Sequence, residues 1–274
     1  MFAGPNGSGK STLIHEIGLQ FKLDYRINAD DIESDLNTKH YIDCSTLFPR
    51  ILSQIEWLNF LEENNGDSRF QSNNFQGISI RNNYLISAQK INSYQAALIA
   101  EFFREKLCIE NQTFSFETVM SHKSKLFFMR KAKENGFKVY LYFICTQDPE
   151  INKQRVKNRS IKGGHNVPEN KVEERYYRSL ELLSEAFLIA DRAFILDSSN
   201  KNRDVIIEKK TTKSLFINNM FRNGLVCMFW INYNMPDLSF LLDLKIIFKT
   251  ILKVFKSEGI SSEGSISMEA FKGN

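Results

Sequence analysis

The chain has 274 residues, 42% of them apolar, and its 36 basic and 32 acidic side chains leave a formal net charge of +4. That length can bury a full core in one large α/β domain or two modest ones, and the apolar content with balanced charge excludes a disordered chain. With 13 glycines, four cysteines and no heptad run, collagen, a coiled coil and a disulfide scaffold are excluded, and +4 is too small alone to indicate a nucleic-acid partner. Residues 1–200 are neutral, and the whole excess lies beyond them. Cys44, Cys108, Cys145 and Cys227 form no CxxC or Cys–His spacing, so they read as buried thiols of a reducing cytosol rather than zinc ligands. Residues 1–12 have no signal-peptide character and no apolar run reaches membrane-spanning length, so a cytoplasmic chain is expected.

In chain order, Gly4-Pro5-Asn6-Gly7-Ser8-Gly9-Lys10-Ser11-Thr12 fits G-x-x-x-x-G-K-[ST], the P-loop. Leu13, Ile14, Ile17 and Phe21 recur at helical spacing, so a helix opens at Lys10. The buried strand expected before the loop has only Met1-Phe2-Ala3 to form it and reads as truncated. Tyr25–Asn28 reads as a second strand ending in Ala29-Asp30-Asp31. Residues 46–63 and 89–108 have helical spacing, and 64–83 reads as a surface excursion without a period. Thr113–Glu117 alternates like a strand, 122–135 is a basic helix closed by Asn135-Gly136, and Phe137–Cys145 is a buried strand. Pro149 opens a helix to about Arg159, a glycine-containing loop covers Ser160–Pro168, and a helix runs from Glu169 to Ala190. Arg192–Asp197 is a further strand. The alternation predicts a mainly parallel α/β sheet of P-loop NTPase type, helices on both faces, with a helical insertion and a lid. Residues 1–200 form the predicted domain. The extension 201–274 contains an apolar run at Leu225–Ile231 and a helix capped by Asp237 over Leu238–Lys256. That helix reads as core-packing with a solvated lysine face, the alternative being a helix on a membrane surface.

Chemistry follows from the loop. Its glycines let backbone N–H groups converge on phosphate oxygens, Lys10 would reach the β- and γ-phosphates, and the Ser11 hydroxyl suits Mg²⁺. Phosphoryl transfer also needs a carboxylate to take the acceptor's proton and cations to hold charge. In an open parallel sheet such groups gather at the carboxyl ends of the strands, which selects Asp30, Asp31 and Glu117. Of the aspartates, Asp30 is read as functional and Asp31 as a helix cap. Arg155, Arg159, Arg175 and Arg178 lie on two helical faces around Lys162-Gly163-Gly164-His165, the composition of a closing lid. The plain alternative is solvated faces paired with Glu169, Glu173 and Glu174.

These motifs resemble the zeta toxin group of P-loop kinases. The resemblance rests on FAGPNGSGKST (2–12), INADDI (27–32), FSFETVMSHKSK (114–125), FKVYLYFICT (137–146), RVKNRSIKGGHNVPENKVEERYYRSL (155–180) and DRAFILDSS (191–199). It implies a kinase that uses ATP and Mg²⁺ to phosphorylate a nucleotide sugar such as UDP-N-acetylglucosamine, with an antitoxin as partner. By the same resemblance Asp30 is the base, Lys10 and Ser11 hold phosphate and metal, and Arg159 and Arg175 stabilise the moving phosphoryl group, with Arg155 or Arg178 as alternates. Glu117 is placed at the metal and in the acceptor cleft with Asn28, Thr118 and His122, and Arg155 beside the nucleotide. Two rivals stay open. One is a polynucleotide end kinase or ATPase, suggested by Lys123, Lys125, Lys131 and Lys133. The other is a nucleotide-binding relative without turnover.

Overall fold

The computed structural model describes residues 1–66, 75–163, 167–211 and 214–217. The expected tail elements at 225–231 and 238–256 lie outside the described residues. Residues Met1–Asn218 form one compact unit. Its central sheet is built from β1 (Phe2–Ala3), β2 (Tyr25–Ile27), β6 (Phe114–Thr118), β7 (Tyr140–Cys145), β8 (Arg192–Asp197), β9 (Asp204–Thr211) and β10 (Ser214–Ile217). The order is β10-β9-β8-β7-β1-β6-β2. The five strands from β8 to β2 run parallel, and β9 and β10 add antiparallel pairings beyond residue 200. The two-residue β1 is nevertheless central, pairing with both β6 and β7.

Alternation of side chains along paired strands sorts the sheet into two faces. Phe2, Tyr142 and Phe194 are in register and stack in a row, ring centroids 5.0 and 4.9 Å apart. Helix α1 (Lys10–Gln20) covers this row with Leu13, Ile14 and Ile17. Phe114 and Phe116 point to the opposite face, beside Phe128 of α5 (Ser124–Glu134) and the buried Arg104 of α4 (Ser93–Ile109). The Arg104 guanidinium lies 4.8 Å from the Phe116 ring, a cation–π contact that lets a charge sit in that core. Helix α6 (Pro149–Ile161) follows β7, with Asp148 capping it and Pro149 in its first turn. The single helix expected from Glu169 to Ala190 is two, α7 (Glu169–Glu181) and α8 (Leu183–Ile189), meeting at Leu182. Between α6 and α7, residues 164–166 of the expected lid loop lie outside the described residues.

The insertion is only partly helical, which corrects the expectation. After α2 (Ala29–Thr38) come β3 (Tyr41–Asp43), a short 3-10 turn, α3 (Gln54–Glu63) and the hairpin β4 (Ile78–Arg81)–β5 (Tyr84–Ser87), giving an antiparallel sheet β3-β5-β4. Asn82 and Asn83 both have positive φ, as a two-residue hairpin turn requires. α3 starts eight residues later than its apolar spacing implied, because Ser53 and Glu56 form a capping box. The insertion has its own aromatic core: Trp57 is fully buried, donates from Nε1 to the Ile78 carbonyl at 3.2 Å, and meets Phe60 and Phe102. The side chain of Asn37 ties α2 to this unit through both the N–H and the carbonyl of Ile91. No helix among the described residues is long and apolar enough to cross a membrane.

Candidate functional site

The parallel strands all end at one edge, so Thr118, the last residue of β6, shares it with Gly4, Asn28, Thr146 and Ser198, each the residue after a strand. The loop Gly4–Gly9 lies there with three glycines at positive φ. Gly4 and Gly7 are sterically required: a Cβ would meet the Ile144 carbonyl oxygen at 2.0 Å and the Asn152 oxygen at 2.7 Å. The loop is braced from outside. Asn152 donates to the Asn6 carbonyl at 2.6 Å and is itself fixed by Thr146, while Ser198 Oγ donates to the Ser8 carbonyl at 2.6 Å. Arg155 closes the brace, its guanidinium donating to the carbonyls of Gly7, Ser198 and Ser199. Tyr176 of α7 joins the same scaffold, donating to the Thr146 carbonyl at 2.7 Å.

Lys10 folds back over the loop, donating from Nζ to the Gly4 and Pro5 carbonyls at 2.9 Å each. Burial lowers its pKa to about 8, Glu117 and Asp30 oppose that shift, and Arg159 adds to it, so all three charges act on this ammonium. Glu117 follows Phe116 at the end of β6 and faces α1, because it is in register with Phe2. Its carboxylate therefore meets the first turn of that helix: Ser11 Oγ donates to Oε2 at 2.8 Å. The other oxygen accepts from Arg26 at 2.7 Å and Asn28 at 3.4 Å. The carboxylate is 7% exposed, so these partners replace most of its water.

Asp30 and Asp31 occupy the first turn of α2, where the helix's positive end favours carboxylates. Asn28, not Asp31, is the cap: its side chain accepts from the Asp30 backbone N–H at 3.1 Å. That corrects the cap assignment, the residue that leaves β2 in extended conformation being the one placed to cap. Desolvation raises the Asp31 pKa, with Arg26 opposing and Glu117 and Asp30 reinforcing. Thr118 turns the chain after β6, its Oγ1 accepting from Met120 N–H, and His122 accepts on Nδ1 from Ser124 N–H at the start of α5. Thr12 is exposed on α1.

The four arginines divide. Arg155 is bound to the loop scaffold, Arg159 lies within electrostatic reach of Lys10, Arg175 acts on Glu174, and Arg178 pairs with Glu174 at 2.8 Å. For Arg178 the solvated-face alternative therefore holds. Arg26 was missed in the sequence, although its position one residue before Ile27 on an edge strand put it in register with Ser115, two residues from Glu117 on the same face.

No family model matches the sequence. The chain is similar to an uncharacterized protein of Haemophilus influenzae, 43% identical over 63 residues, 23% of this chain and 45% of that protein. Of solved structures, the native AvrRxo1-ORF1:-ORF2 complex aligns with TM-score 0.50 and 13% identity over 88% of this chain and 65% of that one. A structure from the PezAT chromosomal toxin–antitoxin system of Streptococcus pneumoniae gives TM-score 0.44 and 15% identity over 93% and 86%. The chain thus spans less than half of the H. influenzae relative and 65% of the aligned chain of the AvrRxo1-ORF1:-ORF2 complex. The fold and the loop define an α/β chain of the P-loop type, and the fold is shared with the AvrRxo1-ORF1:-ORF2 structure.

Proposed function

We propose that this chain is a zeta toxin-like kinase that transfers the γ-phosphoryl group of ATP to a hydroxyl of a nucleotide sugar such as UDP-N-acetylglucosamine, and that an antitoxin restrains it. The observation that carries the reading is the Ser11–Glu117 contact with Lys10 and Asp30 beside it, which joins the phosphate loop to an acidic rim. The loop N–H groups and the start of α1 bind the phosphates, and Lys10 exchanges the Gly4 and Pro5 carbonyls for phosphate oxygens. Ser11 Oγ and Glu117 are hard oxygen donors 2.8 Å apart and fit Mg²⁺. When bound, that ion would neutralise charge on the β- and γ-phosphates. Asp30 accepts the acceptor's proton as its oxygen bonds to the γ-phosphorus and the bond to the β-phosphate oxygen breaks, releasing ADP. Asn28, Thr118 and His122 line the acceptor side, and Arg159 with Arg175 take up charge on the phosphoryl group.

A polynucleotide acceptor is disfavoured because three of the four lysines that suggested it are engaged. Lys125 pairs with Glu101, Lys131 with Glu105 and Lys133 with Asp191. Labelled ATP offered with a panel of nucleotide sugars and oligonucleotides should deliver label to a sugar. Label in an oligonucleotide, or in neither, overturns the reading. Asp30→Asn should cut turnover by about 10²–10⁴-fold while ATP affinity holds; near-normal turnover removes Asp30 as the base.

A further inference from the structure

Arg26 has no role in the reading above, yet it is the charged side chain bonded most closely to the Glu117 carboxylate. It lies on β2, in register with Ser115 of β6, so it shares with Glu117 the sheet face that α1 covers. Its Nη2 donates to Glu117 Oε1 at 2.7 Å and lies 3.8 Å from Asp31 Oδ2, with the side chain 39% exposed. The guanidinium therefore bridges the end of β6 and the first turn of α2, the two elements that bear the acidic rim. Around it stand Glu117, Asp31 and Asp30 as anions, with Lys10 as the other cation acting on that group.

We infer that Arg26 is a positioning residue. It fixes Glu117 so that one oxygen stays on Arg26 and the other is presented to Ser11, presetting the pair of oxygens that would take a divalent cation. The inference rests on the kinase reading for its cation, though not on the identity of the acceptor. A carboxylate 7% exposed needs its partners to stay in place, and partners behind a metal-binding oxygen set its direction. Arg is the suited residue, because its planar fork holds carboxylate geometry that a lysine ammonium does not fix.

The test is Mn²⁺ binding, followed by electron paramagnetic resonance in the presence of saturating ATP, on wild type, Arg26→Met and Arg26→Lys. Metal-free ATP affinity, taken in chelator, and Tm are measured alongside. Arg26→Met should lose about 10–100-fold in Mn²⁺ affinity, as such supporting partners do. Arg26→Lys should recover part of that loss, while metal-free ATP affinity holds in both; Tm falls in Arg26→Met, which leaves a nearly buried carboxylate short of a partner, and falls less in Arg26→Lys. Unchanged Mn²⁺ affinity in Arg26→Met, or an equal loss of metal-free ATP affinity, overturns the assignment. If Arg26→Met does not fold, the lysine variant decides: wild-type Mn²⁺ affinity there refutes a need for the fork. A wild-type chain that binds no ATP would instead refute the kinase reading, so the two failures are distinguishable.

Discussion

Gly4 and Gly9 differ in a way that separates backbone strain from collision. Both have positive φ, +139° and +91°, so alanine at either position carries a strain of about 1–3 kcal/mol. At Gly9 that is all, since a Cβ there meets nothing within 4 Å. At Gly4 the new Cβ would sit 2.0 Å from the Ile144 oxygen and 3.0 Å from its carbonyl carbon, where carbon contacts prefer about 3.5 Å or more. Ile144 belongs to β7, held between β1 and β8 and fully buried, so the backbone cannot swing aside as a side-chain tip would. Overpacking of this kind adds about 1–3 kcal/mol, bringing Gly4→Ala to roughly 2–6 kcal/mol. For a unit of this size each kcal/mol lowers Tm by about 2–4 °C. Differential scanning fluorimetry should show Gly4→Ala melting several degrees below Gly9→Ala, and both below wild type. Equal melting of the two variants would refute the claim that the loop is seated by contact with β7.

Lys209 is buried and donates to the carbonyls of Phe187, Leu188 and Ala190 at 2.9, 2.9 and 2.6 Å, finishing the last turn of α8. Lys209→Met should reduce unfolding free energy in urea by about 1–3 kcal/mol, because it orphans buried acceptors; a loss under about 0.5 kcal/mol contradicts that role. In the insertion, the hydrogen bond from Arg50 lowers the Glu56 pKa from 4.5 to about 2, with Ser53 assisting. A depressed carboxyl stabilises above its unfolded pKa and loses that contribution as pH falls through the folded one. The insertion should therefore weaken between about pH 4.5 and 2, and Glu56→Gln should flatten Tm over that window; an unchanged slope counts against it.

Much of the site could be read from residues alone because its signals are local. The loop has a fixed spacing, Asp30 follows a strand directly, and Glu117 ends one. Arg26 lacked any such marker: its meaning comes from the pairing of Tyr25–Ile27 with Phe114–Phe116, a contact across 89 positions. The insertion is a different case, since its clues were present and local. Arg81-Asn82-Asn83-Tyr84 between two β-rich runs carries a hairpin turn, and Ser53-x-x-Glu56 carries a helix start, but polar flanks hid both within an aperiodic stretch. The break at Leu182 was invisible because the apolar pattern continues through it, with Leu180, Leu183, Ala186 and Phe187 all buried. β9 and β10 form an antiparallel extension whose lysines obscured its alternation, and Lys209 is inside.

The struts that seat the phosphate loop come from Thr146, Asn152, Arg155 and Ser198, far downstream of the glycines they hold. On a ribosome making about 5–20 residues per second, roughly 10–40 s separate synthesis of Gly4 from that of Ser199. For most of that interval the glycines exist without their scaffold, and α1 has neither β7 nor β8 to lie against until each is made. The loop is thus made long before the elements that give it its working shape, and a nascent chain halted before Ser198 would have the loop's sequence without its cradle.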